Sequence, residues 1–181
     1  MDSFIEKLRK NQFLFEELVK RDFKKKYKRT VLGMFWSMLS PLLTLLVMKL
    51  VFTEFFGRST EHYTIYIFAG TLVFSYFNDA TNGGMTSIVD NSGIFTKINT
   101  PKYLFLLSKN VSSLINFGIT LVLFFIFCIF DGIHFGLEFF MLVIPVICLV
   151  IFNVGVGSIL SALYVFFKDI KYLYGIFTLM L

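Results

Sequence analysis

Seven cations crowd ten positions near the start of this chain: Lys20, Arg21, Lys24, Lys25, Lys26, Lys28 and Arg29. They stand directly before an apolar run from Val31 to Phe56. Their chemistry is electrostatic. Lys and Arg flanking a membrane-length segment stay on the cytoplasmic side, so the cluster fixes orientation. Residues able to make or break bonds are scarce by comparison. His62 and His134 fall in loops between apolar segments, where solvated roles are expected. Cys128 and Cys148 lie inside apolar segments and read as small packing residues; a metal site or disulfide framework needs more ligands or an extracellular setting. There is no G-x-x-x-x-G-K-[ST] loop, no H-E-x-x-H and no G-x-S-x-G. The expectation is therefore a chain that is not an enzyme, with no catalytic or metal-ligating residues and no bound cofactor.

Composition points the same way. Hydrophobic residues make up 56% of the 181 positions and charged residues 16%, against about 25% charged in ordinary soluble domains. That excludes a soluble globular domain. The net charge of +5 does not argue for nucleic acid, because the excess is juxtamembrane instead of spread over a polar face.

The elements that must position these residues are helices. Residues Ser3 to Phe23 read as an amphipathic helix, with Ile5, Leu8, Phe15, Val19 and Phe23 near one stripe and a preference for the membrane interface. Residues 1–30 then form a cytoplasmic interfacial helix and basic flank. Residues 31–181 form a transmembrane domain with spans at about 31–53, 63–85, 110–130 and 139–167, and the start of a fifth at 172–181. Pro41 predicts a kink in the first span. Gly33 with Ser37, and the run Gly155, Gly157, Ser158, Ser161 and Ala162, offer small surfaces for close helix approach. Asp79 has two readings: a carboxylate facing a watery cavity, or a helix that has reached the headgroups. Lys49 snorkels to the outer interface or lines a polar path, the former preferred. Between spans two and three, Ile88 to Ile98 reads as a short amphipathic helix ending before Pro101. Fifteen of the seventeen basic residues fall on one side of this alternation. Only Arg58 falls on the other, with Lys49 inside a span. The fold class is thus all-α, a polytopic membrane helix bundle with four complete spans and a cytoplasmic N-terminus.

Three stretches carry a family resemblance. From Leu18 to Phe56, the residues Arg21, Asp22, Phe23, Leu32, Gly33, Trp36, Ser37, Pro41 and Leu42 make an R-D-hydrophobic step followed by Leu-Gly-x-x-Trp-Ser and Pro-Leu. The connector Asn91 to Ser108 and the aromatic-Lys-Asp-Ile turn within Phe166 to Phe177 follow in order. Together they resemble ABC-2 type permeases that export cell-surface polysaccharides: O-antigen, capsule and teichoic acid. Thr100-Pro101 stands where that family often has Phe-Pro. The family normally has six spans, so the chain reads as truncated after span four.

The resemblance implies a multi-pass protein of the bacterial cytoplasmic (inner) membrane. It implies a homodimer paired with a separate ATP-binding cassette subunit, with ATP and Mg on that partner and a lipid-linked polysaccharide as cargo. Asn91, Gly93, Ile94, Phe95 and Lys97 would couple to the ATPase. Arg29, Leu32, Gly33 and Trp36 would form the substrate entrance, and Phe74, Tyr76, Phe77 and Tyr164 would line a channel on whose rings sugars stack. The competing readings are an ABC-2 exporter of a small lipid or drug, and a non-transporting membrane docking protein.

Overall fold

The computed structural model describes residues 11–27, 33–56, 62–95, 97, 99–133 and 136–181, and all secondary structure among them is helical. The helices are α1 Gln12–Tyr27, α2 Trp36–Phe56, α3 Tyr63–Asp90, the single turn α4 Ser92–Phe95, α5 Tyr103–Phe130, α6 Val143–Phe166 and α7 Ile170–Met180. Short 3-10 segments, Gly33–Phe35 and Leu137–Leu142, lead into α2 and α6. The stretches Tyr103–Phe130 and Phe139–Phe166 are long and apolar enough to cross a bilayer; Trp36–Met48 and Ile170–Met180 are shorter apolar helices.

α3 is the hub. It packs chiefly against α5 and α6 and also touches α2 and α7, while α1 lies on α5. The core runs along α3 through Ile65, Phe68, Leu72, Tyr76 and Ala80, and along α5 through Phe117, Phe124 and Cys128. These recur at helical spacing, so each helix buries one stripe. Phe68 meets Phe124 and Phe127 edge-on, both at 5.7 Å between ring centres, an arrangement that aromatic quadrupoles favour.

Local chemistry sets the helix ends. Gly33 has φ +52°, a left-handed conformation that only glycine adopts freely, so a 3-10 turn leads in and α2 proper starts at Trp36. α5 ends at Asp131 with Gly132 at φ +78°. There Ile133 N–H donates to the Cys128 carbonyl at 3.1 Å and Gly132 N–H to the Ile129 carbonyl at 3.2 Å, and Ile133 packs on the core. This is a Schellman stop. Gly132→Ala is expected to lower stability by about 1 kcal/mol, the cost of forcing a Cβ into the left-handed region; a midpoint of thermal unfolding equal to the parent's would contradict it. Beside this stop, His62 Nδ1 lies 2.5 Å from Asp131 Oδ2 and ties the start of α3 to the end of α5.

Several boundaries differ from the sequence expectations. The part of the expected N-terminal helix that is described is α1, and its inner face is Leu18 and Asp22; Phe15, Val19 and Phe23 are half-buried beside it. Ile5 and Leu8 lie outside the described residues. The connector is not a helix over Ile88–Ile98. α3 continues to Asp90 and, among the described residues, the connector adds only the turn Ser92–Phe95. Its polar small residues face other helices, so nothing interrupts the hydrogen-bond ladder. α5 begins at Tyr103, well before residue 110, because Leu104, Phe105, Leu106 and Ser108 are buried in the fold. That tertiary contact is invisible to a hydropathy pattern. At 28 residues each, α3 and α5 are about 42 Å long, longer than the ~30 Å hydrocarbon core.

Candidate functional site

Three helices each turn a polar stripe toward one cavity of about 480 Å³. α2 contributes Trp36, Ser37, Ser40 and Thr44; α3 contributes Thr71, Ser75, Tyr76 and Asp79; α5 contributes Ser113, Asn116 and Thr120. Steps of three and four residues put each set on one helix face. Lys26, from the last turn of α1, is the remaining polar member, and Phe68, Leu72 and Phe117 close the apolar side.

Three of the lining hydroxyls are already committed as donors. Thr44 Oγ1 donates to the Ser40 carbonyl at 3.0 Å, Thr71 Oγ1 to Ile67 at 2.7 Å, and Thr120 Oγ1 to Asn116 at 3.0 Å. A hydroxyl has one proton and two lone pairs, so what these threonines offer the cavity is acceptors. An acceptor-rich wall suits a guest rich in O–H groups and lowers the cost of taking such groups out of water. The two charged lining residues among those described pair with each other, Lys26 Nζ to Asp79 Oδ2 at 2.5 Å, and both are close to half exposed. Asp79 thus lines a cavity and meets the basic end of α1 through Lys26.

α1 is fixed to the bundle one turn earlier by a different contact. The Asp22 side chain is 2% exposed and Arg21 Nη2 reaches its Oδ1 at 2.7 Å. Arg21 Nε donates to the same oxygen at 3.1 Å. Lys109 Nζ, from α5, lies 3.8 Å away. Ser108 Oγ stands 3.2 Å from Asp22 Oδ2 and 2.9 Å from the Phe105 carbonyl, and its single proton serves one of them at a time. A buried carboxylate is tolerated only with such partners.

On the other side of α3 lies a seam of small and polar residues. Gly84 of α3 and Gly157 of α6 meet backbone to backbone: a Cβ on Gly84 would sit 3.1 Å from Gly157 Cα. Asn153, Gly157 and Ser161, four apart, are the buried residues of α6, facing Ala80, Thr81, Gly84 and Ser87 of α3, themselves buried. Tyr174 of α7 donates its hydroxyl to Thr81 Oγ1 at 2.7 Å, which donates to the Phe77 carbonyl at 2.7 Å. Asn153, at 0% exposure, and the Tyr76 hydroxyl are buried close to each other.

The residues singled out from sequence scatter over this structure. Of the entrance set, Arg29 and Leu32 lie outside the described residues, Gly33 opens the 3-10 turn, and Trp36 stands 39% exposed at the cavity. Of the channel set, Tyr76 alone lines that cavity. Phe77 stacks on Phe152 at 6.1 Å and leans on Phe74 at 6.3 Å, and Tyr164 is half-buried on α6. Of the coupling set, Asn91 points inward, 4% exposed, with its Nδ2 donating to the Ser87 carbonyl at 2.7 Å. It caps α3. Gly93 and Lys97 are exposed and Ile94 is half-buried; the side chain of Phe95 lies outside the described residues, as does that of Lys49. Of the small residues on α6, Gly157 and Ser161 do pack closely, whereas Ser158 and Ala162 face outward. The Ser/Thr/Asn stripes of α2, α3 and α5 went unread in the sequence. Their three-and-four spacing inside apolar runs was the signal.

Comparison with known proteins gives concordant matches. The family model described as ABC-2 type transporter matches residues 14–181. The O-antigen export system permease protein RfbA of Myxococcus xanthus is 29% identical over 164 residues, covering 88% of this chain and 62% of the relative. A protein of the same name from Klebsiella pneumoniae is 28% identical over 164 residues, covering 88% of this chain and 63% of its own length. The chain thus spans less than two thirds of the curated relatives it matches.

Proposed function

Because the chain belongs to the ABC-2 type transporter family, we propose that it is the membrane-spanning part of a permease that exports a lipid-linked cell-surface polysaccharide or teichoic acid. The observation that carries this reading is the acceptor-lined cavity between α2, α3 and α5, taken with the O-antigen export permeases among its relatives. A sugar polymer carries many hydroxyls, and each one stranded in hydrocarbon is costly. A wall of lone pairs offsets that cost without demanding one stereochemistry.

In this proposal the N-terminus is cytoplasmic, α2, α3, α5 and α6 are four spans of an inner-membrane protein, and α7 starts a fifth. α1 rests at the cytoplasmic interface with its Lys24 and Lys25 toward anionic headgroups. Arg29, Leu32, Gly33 and Trp36 form the entrance, and Tyr76 with Phe74, Phe77 and Tyr164 offers rings to passing sugars. ATP is hydrolysed on a separate subunit, bound through the elbow of Gly93, Ile94, Phe95 and Lys97, with Asn91 holding that elbow onto α3. A second copy of the chain completes the path. The apolar outer face of α6, with Ile144, Ile151, Ile159 and Phe166 all exposed, is available to it.

One feature favours a second reading, export of a small lipid. An apolar groove of about 640 Å³ opens between α3, α5 and α6, lined by residues such as Val73, Leu121, Leu149 and Phe152.

The test is surface display of polymer in a bacterium whose own O-antigen permease has been deleted, with the cognate ATP-binding subunit supplied. Export is expected, and Gly93→Trp or Ile94→Asp is expected to abolish it while the protein still reaches the membrane. A Cβ on Gly93 meets nothing within 4 Å, so a side chain starting there leaves the helix into open space, where a docking partner would meet it. Undiminished export in either variant would remove the elbow from the mechanism.

A further inference from the structure

α1 is joined to the bundle by two charged contacts of opposite character. Asp22 is sealed, its side chain 2% exposed. Lys26–Asp79 is open to solvent at 45% and 44% and stands in the wall of the polar cavity. The sealed contact holds the helix. The open one is not needed for that, and an exposed pair of this kind contributes little stability.

Its position gives it another use. Among the described residues Lys26 is the cation of the cavity lining, and Asp79 its one fellow charge. The lysine stem is flexible and its ammonium has three donors. Asp79 therefore occupies a cation that a stronger anion could take. At a membrane interface the abundant anions are phosphate esters of lipids.

We propose that Lys26 and Asp79 form an anion-exchange site: a lipid-borne phosphate or diphosphate displaces the Asp79 carboxylate from Lys26 as it reaches the cavity, and the ion pair re-forms when the anion leaves. This deepens the export reading and rests on it only for the identity of the lipid. Asp79 is a built-in competitor. It repels the incoming anion, so residence on Lys26 is short, as a passage site requires and a storage site does not. Lys24 and Lys25, exposed on the same turn, raise the local anion concentration without lining the cavity.

The sign of one substitution separates exchange from a merely structural pair. The full chain is placed in nanodiscs of uncharged lipid, and binding of farnesyl diphosphate, inorganic pyrophosphate and farnesol is measured. Lys26→Gln is expected to weaken farnesyl diphosphate binding. Asp79→Asn, nearly the same shape, is expected to tighten it by about 2- to 5-fold, the range released when a half-exposed pair no longer competes. A structural pair predicts weaker binding in both variants, the opposite sign at Asp79→Asn alone. Hydrogen exchange of α1, held by Asp22, checks that each variant keeps its helix docked. An Asp79→Asn affinity that is unchanged or reduced overturns the proposal, and so does farnesol binding as tightly as its diphosphate. Pyrophosphate responding as fully as farnesyl diphosphate overturns the lipid-borne source and assigns the site to the bare anion. Because binding is read without transport, a chain that shows the exchange but never exports polymer sinks the export reading alone. One that exports polymer but shows no exchange sinks this inference alone.

Discussion

Asp22→Ala is expected to release α1 from α5. The substitution removes the one acid that Arg21, Ser108 and Lys109 surround. Lys109, 18% exposed, is left beside an empty partner position. Breaking a buried charge pair costs about 3–5 kcal/mol. Arg21 is 38% exposed and regains water, so the lower end applies, about 3 kcal/mol. Amide exchange in α1 of the detergent-solubilised chain should then speed up about 100-fold, while α3 and α6 keep their protection. Asp22→Asn should fall between, since it keeps the shape and the acceptor toward Ser108 but loses the charge. Glu17→Ala removes the solvent-facing pair with Lys20, 3.0 Å apart, and should leave exchange unaltered. Equal protection in Asp22→Ala and the parent chain would mean that α1 is held by apolar packing alone.

The second large effect is expected at the crossing of α3 and α6, and it is asymmetric. A Cβ at Gly84 would stand 3.1 Å from Gly157 Cα and 3.7 Å from Asn110 Nδ2. The obstacle is backbone, which cannot swing aside as a side chain can. Overpacking of this sort costs about 1–3 kcal/mol, so Gly84→Ala should destabilise despite alanine's better helix propensity. A Cβ at Gly157 meets Gly84 Cα at 3.5 Å, ordinary contact, and there the propensity gain should leave Gly157→Ala neutral or slightly stabilised. Gly84→Leu should separate the helices, at about 3 kcal/mol or more. Thermal midpoints in one detergent test the order. Gly84→Ala matching Gly157→Ala would show that the helices can part at little cost.

Much of the fold could be read from the chain because it depends on one strong signal, long apolar runs bounded by Lys and Arg. That signal located α5 and α6 and the end of α6 near Phe167. It failed where tertiary contact decides. Asp22 stands among seven cations and looks like one more solvated charge, yet it points inward, because Ser108 and Lys109 meet it from a helix 86 positions away. α5 starts early for the same reason. The cavity was missed because Ser, Thr and Asn are weak polar marks within apolar runs: Ser37-Ser40-Thr44 reads as dilution of a span until two other helices show matching stripes. Asn153 is a lone amide within an apolar run, yet it is the first member of the packed row Asn153–Gly157–Ser161. Aromatic residues misled in the opposite sense. With 25 Phe in the chain, a ring's presence carries no information about its direction, and Phe77 turned out to stack on Phe152.

The length of α3 has a mechanical consequence. Its 28 residues make an unbroken rod of about 42 Å, with Asn91 clamped at one end and His62 tied across to Asp131 at the other. The wall carrying Thr71, Ser75 and Asp79 lies along its middle. A tilt of about 5° about the Asn91 elbow would carry the far end through about 4 Å, given that length, and the cavity wall, some 12 to 20 residues from Asn91, through roughly half of that. A single rod thus works as a lever with two gearings: a coarse stroke at the His62 end, and a fine adjustment of cavity width from the same small push.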